Sequence, residues 1–351
     1  MAIDLLIIGQ GICGTWLSYY AEEAGLSYKV IDEQRPDRAS YIASGIINPV
    51  TGRRIVKTWM IDEVMPFAAQ AYTEFGTELG IEGIFLKPII DQHASPQMKL
   101  AFEERVKEGT EYISLPENER DWLEYFDYPF GYGTIHPAYV VNSPELLVAW
   151  RKTLKHKERL LEERFELNEL NLDKEWLTYK GVEAHKIVFC DGIDSFENPW
   201  FERLPSTKNK GEVIWIECKG LPDTHIFKKG MNLVPWEKDI FWVGSTYEWE
   251  FTDPNPTAAF REKTLAHLNQ WLKLPFKVLE HKASIRPATM ERRPYVGFHP
   301  KDERIGILNG MGTKGFSLGP YFAQQLVDHL KNGRTIAPEA DLKRFSRILS
   351  R

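Results

Sequence analysis

The turn Gly9-Gln10-Gly11-Ile12-Cys13-Gly14 has the spacing GxGxxG, and its chemistry is backbone chemistry. Gly9 permits a tight turn, Gly11 lets a diphosphate approach the main chain, and Gly14 lets the following helix pack close to a sheet. The free N–H groups at that helix's start, Ile12 and Cys13 among them, and the positive end of its dipole then face the phosphates. An apolar run of buried-strand type, residues 3–8, precedes the turn. A helical pattern over 15–24 follows, capped by Gly25, and a second strand over 27–31 ends in Asp32 and Glu33. An acid about 20 residues beyond the glycines is placed to accept hydrogen bonds from a ribose diol. The turn predicts a dinucleotide site and leaves FAD and NAD equally open.

The elements that must position such a site run the length of the chain. A helical pattern covers 65–79. Another begins at Ser143-Pro144-Glu145, with Ser143 as N-cap and Pro144 at the first helical position, and runs to 154. Residues 186–189 form an apolar strand followed by Cys190-Asp191-Gly192, and 212–218 and 240–243 are β-like, rich in Val, Ile and Trp. A strand over 305–308, a glycine-rich turn and a helix over 320–330, stopped by Asn332-Gly333, close the chain. At about 150 residues per domain, a chain of 351 suggests two domains. Nucleotide-type signals at both ends with a β-rich stretch between them require the two to interleave: residues 1–75, 140–210 and 281–351 in one, 76–139 and 211–280 in the other.

The composition, 43% hydrophobic and 27% charged, is ordinary for a globular protein. A formal net charge of −6 speaks against a nucleic-acid partner, although Arg53, Arg54 and Lys57 form a small basic group able to attract an anion. The three cysteines, Cys13, Cys190 and Cys218, are too widely spaced for a CxxC or zinc pattern and few enough for a reducing compartment. The N-terminal apolar run is too short for a signal core or a membrane span, and Asp4 sits where a signal would be positive. The expectation is a cytoplasmic protein with no membrane span. His136, His185, His225, His281 and His299 are scattered, so no metal site and no Ser-His-Asp arrangement is expected.

Three further segments add to the glycine turn: Ala43-Ser44-Gly45-Ile46-Ile47-Asn48-Pro49, Asn142-Ser143-Pro144-Glu145-Leu146, and Lys186 to Gly192. The C-terminal part reads Arg286-Pro287-Ala288-Thr289, Arg293-Pro294-Tyr295-Val296-Gly297, then Gly310-Met311-Gly312-Thr313-Lys314-Gly315-Phe316-Ser317-Leu318-Gly319-Pro320. These blocks resemble RPxTxDxxPxIG and GHxxxGxxLxP of the glycine oxidase / D-amino-acid oxidase family of FAD-dependent oxidoreductases, from end to end of the chain. Met311 stands for the usual His, Lys314 for a common Arg, Glu291 for Asp, and Cys190-Asp191 for small neutral residues.

The resemblance implies an α/β fold, a Rossmann-like FAD-binding domain interleaved with a smaller α+β substrate domain on a mixed or antiparallel sheet. It implies non-covalent FAD, since no cysteine lies in the C-terminal third and Met311 replaces the motif His. The cofactor-side residues are Gly9, Gly11, Ile12, Cys13, Gly14, Asp32, Glu33, Ser44, Gly45, Phe165, Gly192, Gly312, Thr313, Lys314, Gly315 and Phe316. Reduced flavin is an anion around N1 and C2=O, and the N–H groups of the Gly312–Ser317 turn, with Lys314, supply positive potential there. Arg286 matches the family's arginine for the substrate carboxylate, Arg54 belongs to a basic segment that can share it, and Tyr247 and Trp249, after Gly244-Ser245-Thr246, wall the cavity. The implied reaction oxidises the C–N bond of an amino acid or N-substituted amino acid by hydride transfer to flavin N5. The imine then hydrolyses, and O2 or another acceptor reoxidises the flavin. An oligomer is compatible with the sequence. Three alternatives stand beside this reading: an oxidase of the carboxymethylaminomethyl group on wobble uridine in tRNA, a dehydrogenase using a non-oxygen acceptor, and a flavin-binding protein without catalysis.

Overall fold

The computed structural model describes residues 2–350 apart from 53 and 174. Five parallel strands form the centre of the first sheet, in the order Leu160–Leu161, Tyr28–Ile31, Ile3–Ile8, Val182–Phe189 and Asp302–Asn309. Their side chains alternate between two cores. Leu5, Ile7, Val30, Val188 and Leu308 face one, while Leu6, Ile8, Ile31, Ile187, Phe189 and Ile307 face the other. Burial on both faces is what makes these strands near-continuous apolar runs.

The helix Ile12–Glu23 leaves the first strand at the glycine turn, and Gly25 follows it in the left-handed region at φ 73°. The last helix, Gly315–Asn332, packs beside it: a Cβ on Gly315 would lie 3.3 Å from Ile12 Cγ2. Small residues here let the two N-termini converge on one cleft. The last helix begins before the expected start at 320 and contains Pro320, while Ile61–Leu79 begins before 65 and contains Pro66. Proline's bias against helix in the preceding residue is overcome because Phe316, Leu318 and Val64 are buried in the same core. Asn142, not Ser143, is the capping position of Ser143–His156, and the buried Ser143 hydroxyl has no partner among the described residues.

The second sheet has eight strands, in the order Lys277–Thr289, Ser206–Glu217, Ile240–Gly244, Asn232–Glu237, Ile226–Lys228, Ile89–Gln92, Tyr132–Ile135 and Ile113–Ser114. It is antiparallel except where Ile226–Lys228 runs parallel to Ile89–Gln92, so it is mixed. One face is covered by the helix Ala258–Trp271. The other carries Val213 and Trp242 towards the cleft. Ser206–Glu217 and Lys277–Thr289 pair along their whole lengths and cross the expected boundaries at 210 and 281, joining the sheet to the cleft without a break. No helix among the described residues is long and apolar enough to cross a membrane.

Candidate active site

Ile3–Ile8, Tyr28–Ile31, Val182–Phe189 and Asp302–Asn309 end at one edge, and the chain leaves them as Gly9, Asp32, Cys190 and Gly310. Ligands bind in such crevices outside the carboxyl ends of parallel strands. At the first of these exits, a Cβ on Gly14 would sit 1.8 Å from the Gly9 carbonyl oxygen, so only glycine lets the helix start there. The N–H groups of Gly11, Cys13 and Gly14 meet no acceptor among the described residues, and Ser40 Oγ takes the Ile12 N–H at 3.0 Å. The turn is therefore a set of unpaired donors at a helix start, which is the donor set a diphosphate requires.

Asp32 is buried and fully engaged. Its Oδ1 accepts from the Gln10 N–H at 2.8 Å and from Arg38, and its Oδ2 accepts from the Gln34 N–H at 2.9 Å and from Arg151 at 2.7 Å. Burial alone would raise its carboxyl. The Arg38 charge and the donated hydrogen bonds outweigh it and hold the group below the usual carboxylate range. With two donors on each oxygen, the Asp32 carboxylate has no free acceptor position among the described residues. Gly9, Asp32, Glu33 and Phe165 line a recess on this side, where Phe165 stacks on Tyr179 at 5.0 Å.

The main cleft continues from this recess. Gly11, Ile12, Cys13, Ser44, Gly192 and the run Met311–Phe316 line it. Gly45 stands behind the lining, where a Cβ would come within 2.3 Å of the Val141 carbonyl oxygen. Gly312 N–H donates to the Pro287 carbonyl at 3.0 Å, tying the C-terminal turn to the strand Lys277–Thr289. The N–H groups of Thr313, Gly315 and Phe316 meet no acceptor among the described residues. Lys314 has no ion-pair or hydrogen-bond partner for its ammonium among them, and burial pushes it down to about 8. These unpaired donors and one half-buried cation form a cradle suited to a planar ring that becomes anionic on reduction.

Arg286 faces the same cleft. Its Nη1 donates to Asn209 Oδ1 at 2.7 Å and to the Thr246 carbonyl at 3.1 Å, and its Nη2 to Ser245 Oγ at 2.7 Å. Tyr247, 61% exposed, lies over the guanidinium at 5.0 Å. All three acceptors are neutral, and no carboxylate pairs with Arg286 among the described residues. Gly211 makes the room: a Cβ there would be 1.9 Å from Arg286 Nη2.

Arg54 is exposed, its carbonyl accepts from Arg105, and it does not line the cleft; Lys57 pairs with Asp62 and Glu111, and Arg53 lies outside the described residues. Trp249 is 54% exposed and also off the lining. Sequence reasoning missed Arg38, Ser40, Arg151, Asn209 and Ser245. Arg151 had a signal: it shares the buried face of its helix with Leu147, Trp150 and Leu154, and a cation on an apolar face needs a buried partner.

The FAD dependent oxidoreductase (DAO) profile matches residues 4–329. The chain is 24% identical to a glycine oxidase of Pseudomonas aeruginosa, over 95% of this chain and 96% of that one. It is 22% identical to the tRNA 5-methylaminomethyl-2-thiouridine biosynthesis bifunctional protein MnmC of Idiomarina loihiensis, over 98% of this chain but 58% of that protein. Among solved structures, glycine oxidase from Geobacillus kaustophilus superposes with a TM-score of 0.81 at 17% identity, covering 98% of each chain. With the profile spanning nearly the whole chain, and glycine-turn donors, a second donor cradle and a carboxylate-free arginine around one cleft, the protein belongs to the family of FAD dependent oxidoreductases.

Proposed function

We propose that the chain oxidises the C–N bond of a small amino acid or N-substituted amino acid whose carboxylate is seated on Arg286. The observation that carries this reading is a half-buried guanidinium held by neutral acceptors alone, on the wall of the cleft that also presents the unpaired donors of Thr313, Gly315 and Phe316. A desolvated cation without a counter-charge favours an anionic ligand, and a planar fork matches a carboxylate. The free N–H groups of Gly11, Cys13 and Gly14 would hold the diphosphate of FAD, and the Thr313–Phe316 turn the pyrimidine edge of its ring. Bound FAD would accept the electrons and hydrogen of the carbon beside nitrogen, with O2 as the final acceptor. Arg286 orients that carbon through the carboxylate, Tyr247 covers the anchor, and Lys314 adds positive potential at the ring. No general base is required for a neutral amine, and the imine released hydrolyses in water.

FAD is held without a covalent bond in this reading, since Cys13 and Cys190 are buried thiols pushed up by desolvation and Met311 offers no nucleophile. The test is an anaerobic titration of the holoenzyme with glycine, N-methyl amino acids, D-amino acids and simple amines, followed by admission of O2 and by acid precipitation. Carboxylated amines bleach the flavin, O2 restores it with H2O2 formed, and FAD stays in the supernatant. Bleaching by none of them refutes the reading, and flavin in the pellet refutes non-covalent binding. A second reading, oxidation of an aminoacetate group carried on tRNA, is favoured by the bifunctional relative, of which this chain spans somewhat over half. Bleaching by modified tRNA and by no free amino acid would select it.

A further inference from the structure

Only two of the residues lining the adenosine-side recess also line the main cleft: Arg38 and Asp191. A dinucleotide that fills both must pass between them, and the part of FAD at that junction is its diphosphate. Asp191 is also in contact with the glycine turn, since a Cβ on Gly9 would lie 2.8 Å from Asp191 Cα. A carboxyl group at that junction faces the most negative part of the cofactor.

The hydrogen-bond chain behind Asp191 decides which oxygen carries a proton. Asn309 Oδ1 accepts from the Gly310 N–H at 2.8 Å, so its Nδ2 is the donor to Ser195 Oγ at 2.7 Å. Ser195 must then point its own hydrogen at Asp191 Oδ1. Oδ1 is an acceptor, so any proton on the carboxyl resides on Oδ2, which no other residue's donor reaches among the described residues. We propose that Asp191, protonated on Oδ2, donates a hydrogen bond to a diphosphate oxygen of FAD, so that cofactor affinity falls when that proton is lost.

The surroundings favour the protonated form. Burial, and then the neighbouring Asp194, raise the carboxyl to about 7, against the hydrogen bond from Ser195 and the more distant charge of Arg38. Arg38 is committed to Asp32 and lies 4.0 Å from Glu33, and Arg35 lies 3.8 Å from Asp194. Immediately before Asp191 in the chain is the buried Cys190, whose thiol is pushed up by desolvation. Across the recess Glu163 pairs with Lys180 and Glu197 with Lys208, and Arg164, which is exposed, makes no ion pair with Asp191 among the described residues. The diphosphate itself does not titrate near neutrality.

This inference rests on FAD as the cofactor, and its test reads binding, not turnover. The flavin-stripped full-length chain is titrated with FAD from pH 6 to 8.5, following flavin fluorescence. If only the protonated form binds, the wild-type Kd rises about 30-fold across that range. Asp191→Asn keeps the Ser195 contact and offers a permanent N–H, so its Kd should stay tight and flat with pH. Asp191→Ala should be flat and weaker. Riboflavin, which lacks the diphosphate, should show no such slope on the wild type, and circular dichroism checks folding. A flat wild-type curve, or a wild-type slope retained in Asp191→Asn, overturns the role of Asp191. No uptake of FAD at any pH overturns the cofactor reading along with it.

Discussion

Replacing Arg286 with leucine removes a cation that touches three protein acceptors and, on the proposed reading, one substrate carboxylate. Truncating one side of a buried charge pair costs about 2–5 kcal/mol. At about 1.4 kcal/mol per decade, kcat/KM for an amino-acid substrate should fall by roughly one and a half to three and a half decades. The neutral acceptors weaken the rival, purely structural account. Ser245 Oγ lies at the cleft wall, where water can replace the lost donor, whereas Asn209 is 1% exposed and loses the partner of its Oδ1, so the variant should be somewhat less stable yet stay folded and keep its FAD. Stopped-flow flavin reduction is measured for the amino acid and for its decarboxylated amine, on wild type and variant. The amine never used the guanidinium, so its rate should move by less than about threefold, well under one 1.4 kcal/mol decade. Equal losses for the two substrates, with FAD content intact, would refute the anchor. Arg286→Lys should recover only part of the loss, because a point charge does not reproduce the planar fork.

Gly11→Val places branched carbon where a Cβ already meets Ser40 Oγ at 3.1 Å, so the purified protein should be colourless yet show a native circular-dichroism spectrum; full flavin occupancy would remove the turn from the cofactor site. Asp32→Ala leaves Arg151, which is 3% exposed, with the half-exposed Glu162 as its one carboxylate partner among the described residues, and should lower stability by about 3 kcal/mol, read as a lower urea midpoint with or without FAD. The sign of its pH dependence follows from a depressed carboxyl: the contribution exists above the unfolded carboxylate value and disappears as pH falls through the folded one, so wild type and variant should converge in acid. Lys314 is charged below about 8 and loses that charge as pH rises, so the flavin-reduction rate should fall along an alkaline limb near that value. Lys314→Met should be about tenfold slower at pH 7 and lack the limb, and a variant with an unchanged pH profile would exclude the lysine.

The glycine turn and the parallel strands were legible because backbone geometry restricts residue type: Gly14 admits no Cβ, and strands buried on both faces must be apolar throughout. Helix starts were less legible. Pro66 and Pro320 suggest boundaries, and only the burial of Val64, Phe316 and Leu318 against other elements shows why the helices extend past them. Arg286 came from a resemblance, since nothing in its spacing brings Asn209, 77 residues away, to its side. Asp32 came from its spacing after the glycine turn, but its four donors, from Gln10, Gln34, Arg38 and Arg151, did not. Sequence reasoning pairs an acid with its ligand more readily than with distant arginines of its own chain.

The anchor and the parts that cover it are held to different degrees. Arg286 and Asn209 are register partners on adjacent strands that pair without a register shift from Ser206 to Trp215, and Gly211 opens the space beside the guanidinium. Their relative position is set by a sheet ladder. Ser245, Thr246 and Tyr247 follow the strand Ile240–Gly244 in a loop that is bound back to Glu212, through its N–H to Thr246 Oγ1 at 2.9 Å and its carboxylate to Thr257. That buried carboxylate also meets His281 at 2.9 Å and Lys210 at 3.4 Å, so both ends of the loop are fixed. Tyr247 lies between two tied residues, Thr246 and Glu248, the latter bridged to Lys210, but its side chain is mostly exposed and rests on Arg286 by its ring face alone. On the proposed reading, such a site would hold the carboxylate end of a substrate on paired strands and meet the variable end with the exposed ring of Tyr247. Discrimination among amino acids should therefore reside in the loop, while the requirement for a carboxylate resides in the sheet.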